Sequence, residues 1–334
     1  MKSQIEAALA LILFPLALGI GIFGSRLWLN FGAEVAIWAL FAVSLNLLVG
    51  FGGMVSFGHA AYFGLGAYGA GLAAMRWGIG LVPATLIGMG LAALFALLFG
   101  MLCVRRSKVY FAMLTLAFSQ LVWAVAFRWN DLTGGDQGIN GLPMPQFGNL
   151  LGWTNQRWFY WICFVLLCAV LYLLYRLARS PFGTLLNAAK LNPERVQFLG
   201  TSVPRVQLVA FVIAGALAGL AGSLFAFHTR GLFPDYLFWT KGAEALNMVV
   251  LGGMNQLLGP VLGAATLLFI NQEATAFTEY WSAVTGVMLG ALILFAPGGL
   301  AGGLQRLLEA VTRKRARKAG QSVPDLEADL RRPQ

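Results

Sequence analysis

Apolar runs of 17 or more residues recur along the whole of this 334-residue chain. Each is long enough, as a helix, to cross roughly 30 Å of hydrocarbon. That repetition leaves few folds open, because a backbone in lipid must pair all its N–H and C=O groups internally. The alternatives are helices or a closed barrel, and the alternating segments of about ten residues that mark a barrel are absent. Charged residues make up 11% of the sequence, against about 25% in a typical soluble domain. The expected fold is an all-α polytopic membrane protein.

Ten spans are expected, at about 7–25, 33–50, 59–75, 81–103, 109–127, 158–175, 207–227, 242–254, 258–276 and 281–298. The eighth is too short to cross alone and reads as a broken helix paired with the ninth. With both termini cytoplasmic, 17 of the 23 Lys and Arg residues fall on the cytoplasmic side and 6 on the other. That is the positive-inside bias, and it assigns the net charge of +10 to topology and not to nucleic acid. The transmembrane domain is expected over 1–305, and 306–334 form a basic cytoplasmic tail with a disordered end. Cys103, Cys163 and Cys168 lie in apolar runs without metal or disulfide spacing, so they are expected to be core residues. No cofactor is expected.

An internal repeat organises the chain. Ser44–Gly71 reads SLNLLVGFGGMVSFGHAAYFGLGAYGAG, and Ala245–Gly263 reads ALNMVVLGGMNQLLGPVLG. Gly52-Gly53-Met54 and Gly252-Gly253-Met254 lie 200 positions apart. In the ten-span topology both blocks sit at inward-running spans, so the halves, about 33–127 and 207–298, have the same sense. Glycine-interrupted spans at matching places in two halves point to a central pathway.

Polar residues inside spans are costly in lipid and tend to face the bundle interior or a cavity. Asn46, Ser56 and His59 cluster at the first break; Glu244, Asn247 and Asn255 cluster at the second. Thr115, Ser119 and Gln120 share one face of the fifth span. Asn46, Ser56, His59, Thr115, Ser119, Glu244 and Asn247 are the candidate path residues. The alternative is structural, with interhelical hydrogen bonds and capping of broken helices. Asn46 and Asn247 are repeat counterparts, whereas His59 has none. Glu34, Asp235 and Glu279 read as span-end residues. The small residues Gly215, Gly219 and Gly222 read as helix packing. No enzyme signature is present. Gly64–Gly69 matches G-x-G-x-x-G without the strand that a dinucleotide site requires, and no Walker loop or metal-ligand cluster occurs.

The segment 176–206 is the largest loop expected inside the cell. Arg179-Ser180-Pro181-Phe182-Gly183 reads as a turn, and Thr184–Lys190 as a short helix. A second short helix follows, with Asn192 as N-cap, Pro193 at its first position and Gly200 as its stop. Outside the cell, Arg128–Arg157 reads as an ordered Gly/Pro-rich loop containing TGGDQGINGLP.

SLNLLVGFGGMVSFGHAAYFGLGAY, TGGDQGINGLP, RSPFG and MVVLGGM…GPVLGA occur in one order over roughly 30–303. Together they resemble the LivM-type permease subunits of branched-chain amino acid ABC importers, of the bacterial inner membrane. The resemblance implies a second homologous permease, two cytoplasmic ABC ATPase subunits and a periplasmic substrate-binding protein. It places ATP hydrolysis on separate subunits and makes Arg179, Phe182, Gly183, Glu194, Arg195 and Gly200 the ATPase coupling loop. Glu194 and Gly200 keep the separation of the Glu-Ala-Ala…Gly motif common in ABC permeases. Arg195 and Val196 stand where its alanines would be, and the later Ile-x-Leu-Pro is missing. Asn255-Gln256 stands where smaller residues are expected. The rival readings are a permease for urea or short amides, a secondary transporter or channel, and a membrane-embedded enzyme.

Overall fold

Nine of the ten expected apolar segments are helices. The computed structural model describes residues 2–105, 108–144, 153–254 and 256–277, with isolated positions 283, 286–287, 290, 298–300 and 302–303 beyond them. Most of the expected tenth span, the tail from 306 and Asn255 lie outside the described residues.

Helix α1 covers Lys2–Phe23 and α2 Arg26–Asn46, with α2 continuing through a π-turn at Leu47–Phe51. After a short irregular stretch come α3 (His59–Trp77), α4 (Leu81–Cys103), α5 (Lys108–Arg128) and the single turn α6 (Asn130–Thr133). Then follow α7 (Asn155–Arg179), α8 (Pro181–Leu191), α9 (Pro193–Phe198) and α10 (Val203–Thr229). The last described helices are α11 (Trp239–Gly252) and α12 (Gly259–Phe277). Two-residue strands β1 (Ile139–Asn140) and β2 (Gly231–Leu232) pair antiparallel. Among the described residues five helices are long and apolar enough to cross a bilayer: Arg26–Phe51, Leu81–Cys103, Val109–Arg128, Asn155–Arg179 and Val203–Thr229. Their number and composition make this a multi-pass membrane protein.

The bundle centre is built on small residues. Helices α3, α4 and α10 pack together along Gly66, Gly88, Ala92, Ala96, Gly215, Gly219 and Gly222. Ser223 Oγ, between these backbones, donates to Gly66 O at 3.0 Å and to its own-turn Gly219 O at 2.7 Å. The expected packing role of Gly215, Gly219 and Gly222 is thus observed. Around this trio sits an aromatic cluster of Trp38, Phe41, Phe63 and Phe225. Helix α2 packs on α10, α7 and α12.

The route from α10 to α11 passes inside the bundle. Past Thr229 the chain forms β2 and a 3-10 turn at Pro234–Leu237. Leu232 packs on Gly71 and Leu237 on Gly64, so the segment descends two turns of α3 inside the protein. Ser119 Oγ, on α5, donates to Leu237 O at 3.2 Å. Irregular backbone at membrane depth is stable where protein surrounds it and pairs its polar groups. Helix α11 consequently starts part-way down the bundle, with Gly242 beside Phe57 O and Ala60 N. Its 14 residues then span about 21 Å. This is why the eighth apolar segment is short.

Candidate functional site

The two glycine breaks meet. Asn46 Nδ2, at the end of α2, donates to Gln256 O at 3.0 Å. Gly50 lies against Met254 O and the Asn46 side chain so closely that any Cβ there would overlap both. Gly252 lies as tightly against the Gly259 carbonyl. Gly253, with φ 114°, turns the chain between α11 and α12, in a region that L side chains rarely adopt. The two breaks therefore form one junction. Asn46 Oδ1, Ser56 Oγ and Gln256 Oε1 are buried there without a partner among the described residues.

Helix α8 reaches the same place. Lys190 Nζ donates to Gly50 O at 2.6 Å, and its stem covers Gly53. Gly50 O belongs to the π-turn, where the regular i to i−4 ladder is interrupted. Changing Lys190 to Met removes a charge-assisted hydrogen bond worth roughly 1.5–3 kcal/mol. The expected result is faster amide exchange over residues 47–58, read by hydrogen–deuterium exchange. Unchanged exchange there would show that the break holds itself.

The other expected path residues divide. His59 is fully buried, stacks on Phe41 and shares a 2.9 Å hydrogen bond with Ser44 Oγ, while its Nδ1 has no partner among the described residues. Thr115 Oγ1 bonds back to Ala112 O at 2.8 Å, and its backbone abuts Gly58. Thr115 and Ser119 therefore brace the first break and the descending segment. Glu244 is half-buried, and both its carboxylate oxygens lie 3.1 Å from Lys241 Nζ. Asn247 lies half-buried one turn further along α11. The repeat counterparts Asn46 and Asn247 thus differ: one is a buried bridge, the other half-open.

The 176–206 segment folds as two short helices. Ser180 caps α8 by accepting from Gly183 N, and Asn192 caps α9 by accepting from Arg195 N at 3.1 Å. Pro181 and Pro193 occupy the first helical turns. Arg179-Ser180-Pro181-Phe182-Gly183 is therefore the corner at which α7 ends and α8 begins. Arg179 covers the Tyr175 ring, Phe182 packs on the main core, and Gly183 fits closely under the end of α7. Glu194 and Arg195 are exposed, and Gly200 takes φ 81°. Ala189, Val196 and Val203 close a small core under the loop, leaving Leu191, Phe198 and Leu199 at 81%, 90% and 80% exposure.

Sequence reasoning missed Lys190, Lys241, Gln256 and this apolar trio. Phe198 and Leu199, apolar beside a helix stop and between charges, were a readable signal. Lys190 and Gln256 gave none, since their partners lie 140 and 210 residues away.

Comparison with known proteins adds an independent finding. A family model described as branched-chain amino acid transport system / permease component matches residues 27–297. The chain is 28% identical over 298 residues to the high-affinity branched-chain amino acid transport system permease protein LivM of Escherichia coli K12, covering 83% of this chain and 70% of that one. It is 26% identical over 290 residues to the LivH permease protein of Salmonella typhimurium, covering 79% and 91%. A probable LivM of Methanocaldococcus jannaschii is 22% identical over 316 residues, covering 79% and 90%. No solved structure matches the chain.

Proposed function

The chain belongs to the branched-chain amino acid transport system permease family, and from that premise we propose that it is one of two path-forming permeases in an ATP-driven importer. Its cargo is a branched-chain or related amino acid delivered by a periplasmic binding protein. A homologous permease completes the path, and two cytoplasmic ATPase subunits dock on residues 176–206. The similarity to both LivM and LivH proteins supports the paired-permease reading. The protein resides in a bacterial inner membrane with ten spans and both termini inside.

One observation carries the mechanism: Lys190 of the loop bonds the first break, and Asn46 of the first break bonds the second. Displacement of α8 by the ATPases thus acts on both breaks together. The same-sense repeat is supported by α2 and α11 running side by side. Lys241 near the start of α11 faces Trp38, and the ends of both meet at Gly50 and Met254. Phe198, Leu199 and Leu191 supply apolar anchors for the ATPases, beside Arg179, Glu194 and Arg195.

Labelled leucine uptake into proteoliposomes holding the whole complex tests this reading. Omitting the ATPase subunits is expected to abolish uptake. Uptake that persists without them and follows a proton gradient would replace the importer with a secondary transporter.

A further inference from the structure

The span interiors are less free of charge than the sequence suggests. Trp38 stands twelve residues after Arg26 and thirteen before Phe51, at the middle of a 26-residue apolar helix. Lys241 Nζ lies 5.3 Å from the Trp38 ring centre. Lys241, which the sequence puts in a loop outside the membrane, is therefore level with mid-span. The cause is the descent of 231–238 before α11 begins. Glu244 lies 3.1 Å from that ammonium. Glu34 lies half-buried one turn before Trp38 on the same face of α2, the face whose ring Lys241 covers. One cation is thus paired with Glu244, and a second carboxylate, Glu34, stands one helical turn from the ring it covers.

The side chains of Lys241 and Glu244 remain 26% and 36% exposed. An ion pair open to hydrocarbon at this depth is costly, so intramembrane charges face water-filled space or protein. From this juxtaposition we infer that Lys241, Glu244 and Glu34 form a head-group subsite for a zwitterionic amino acid within the path. The inference rests on the permease reading above and gives that path its ligand chemistry. The incoming carboxylate takes the place of Glu244 on Lys241, and the incoming ammonium is received by Glu244 and Glu34. A free amino acid carries both charges close together and can make both exchanges at once. Urea and short amides carry no formal charge and cannot compensate for opening the ion pair. The subsite reads the head group and leaves the side chain unselected.

The experiment measures binding of labelled L-leucine to the purified complex in lipid nanodiscs, with the binding protein left out. ATP-dependent leucine uptake by the same purified complex, reconstituted into proteoliposomes with its binding protein, is recorded first. Saturable binding is expected, with N-acetyl-leucine and leucinamide, each lacking one of the two charges, competing at least tenfold more weakly than leucine. Lys241→Met and Glu244→Gln are each expected to weaken binding at least tenfold. The competition series needs no variant and so decides the matter even where a substitution blocks assembly. Absence of saturable binding, equal competition by the two singly charged analogues, or unaltered binding in both variants each overturns the subsite. When ATP-dependent uptake accompanies such a result, the permease reading survives alone. Uptake that needs no ATPase removes the permease reading instead.

Discussion

Replacing Gly222 by alanine is expected to prevent most of the protein from reaching its assembled form. Gly222 faces the Phe63 carbonyl so closely that an added methyl carbon would overlap the oxygen and its carbon. The obstacle is backbone, and no rotamer change relieves it. One turn away Gly219 is pressed between Gly66 and Ala92, and Gly88 lies against Gly66 O and Ser223 Oγ. In lipid no hydrophobic force drives helices together, so association rests on close packing and interhelical hydrogen bonds. Moving α10 outward to admit one methyl loosens this whole row and stretches the Ser223 to Gly66 bond. Overpacking of this kind costs about 1–3 kcal/mol, more where backbone blocks relaxation. The gain in helix propensity from Gly to Ala is only about 1 kcal/mol, so destabilisation wins. Gly90 is the control: it lies on the same α4 as Gly88, but a methyl added there would meet no atom within 4 Å. Fluorescence-detected size exclusion and thermal melting in detergent should separate the two, with Gly90→Ala near wild type or slightly above it. Equal behaviour of the two variants would mean that the close row does not hold the bundle.

How much of this was readable beforehand depends on the range of the signal. Hydropathy and length located nine helices, because burial in lipid is written into each segment separately. Local chemistry located the loop helices: Asn192, Pro193 and Gly200 act within one turn of themselves. The depth of α11 was not readable, because it depends on Gly231–Phe238 descending against Gly64 and Gly71 of α3, residues far away in the sequence. That error carried Lys241 with it, since a lysine before a span reads as an interfacial charge. His59 shows how little residue type alone decides. A rare residue in a glycine-rich stretch suggests chemistry, yet it stacks on Phe41 and bonds Ser44 in the core. Asn46 was picked out by repeat symmetry, while its partner Gln256 could be found only in three dimensions.

On the proposed docking of ATPase subunits at residues 176–206, changing Phe198 and Leu199 together to Asp is expected to uncouple the permease from them while leaving its own fold intact. Apolar exposure along a span is ordinary in a membrane protein, but these two residues end α9, amid Lys190, Glu194, Arg195 and Arg205. They are exposed while Val196, in the same helix, is buried with Ala189 and Val203. The loop therefore has its own small core, built with Leu185 and Ala188 beside those three, and leaves Phe198 and Leu199 outside it. Large apolar groups exposed together among charges mark a partner surface, and aromatic anchors tend to dominate the energy of such contacts. Because neither residue packs against the rest of the chain, the double change should alter permease stability by no more than about 0.5 kcal/mol per site. The expected outcome is co-purification of the two permeases without ATPase subunits, and ATP-driven leucine uptake reduced more than tenfold. Glu194→Gln is expected to do less, since an exposed ion pair contributes at most about 1 kcal/mol. ATPases that remain bound to the double variant at wild-type ratio would move the docking surface away from α9.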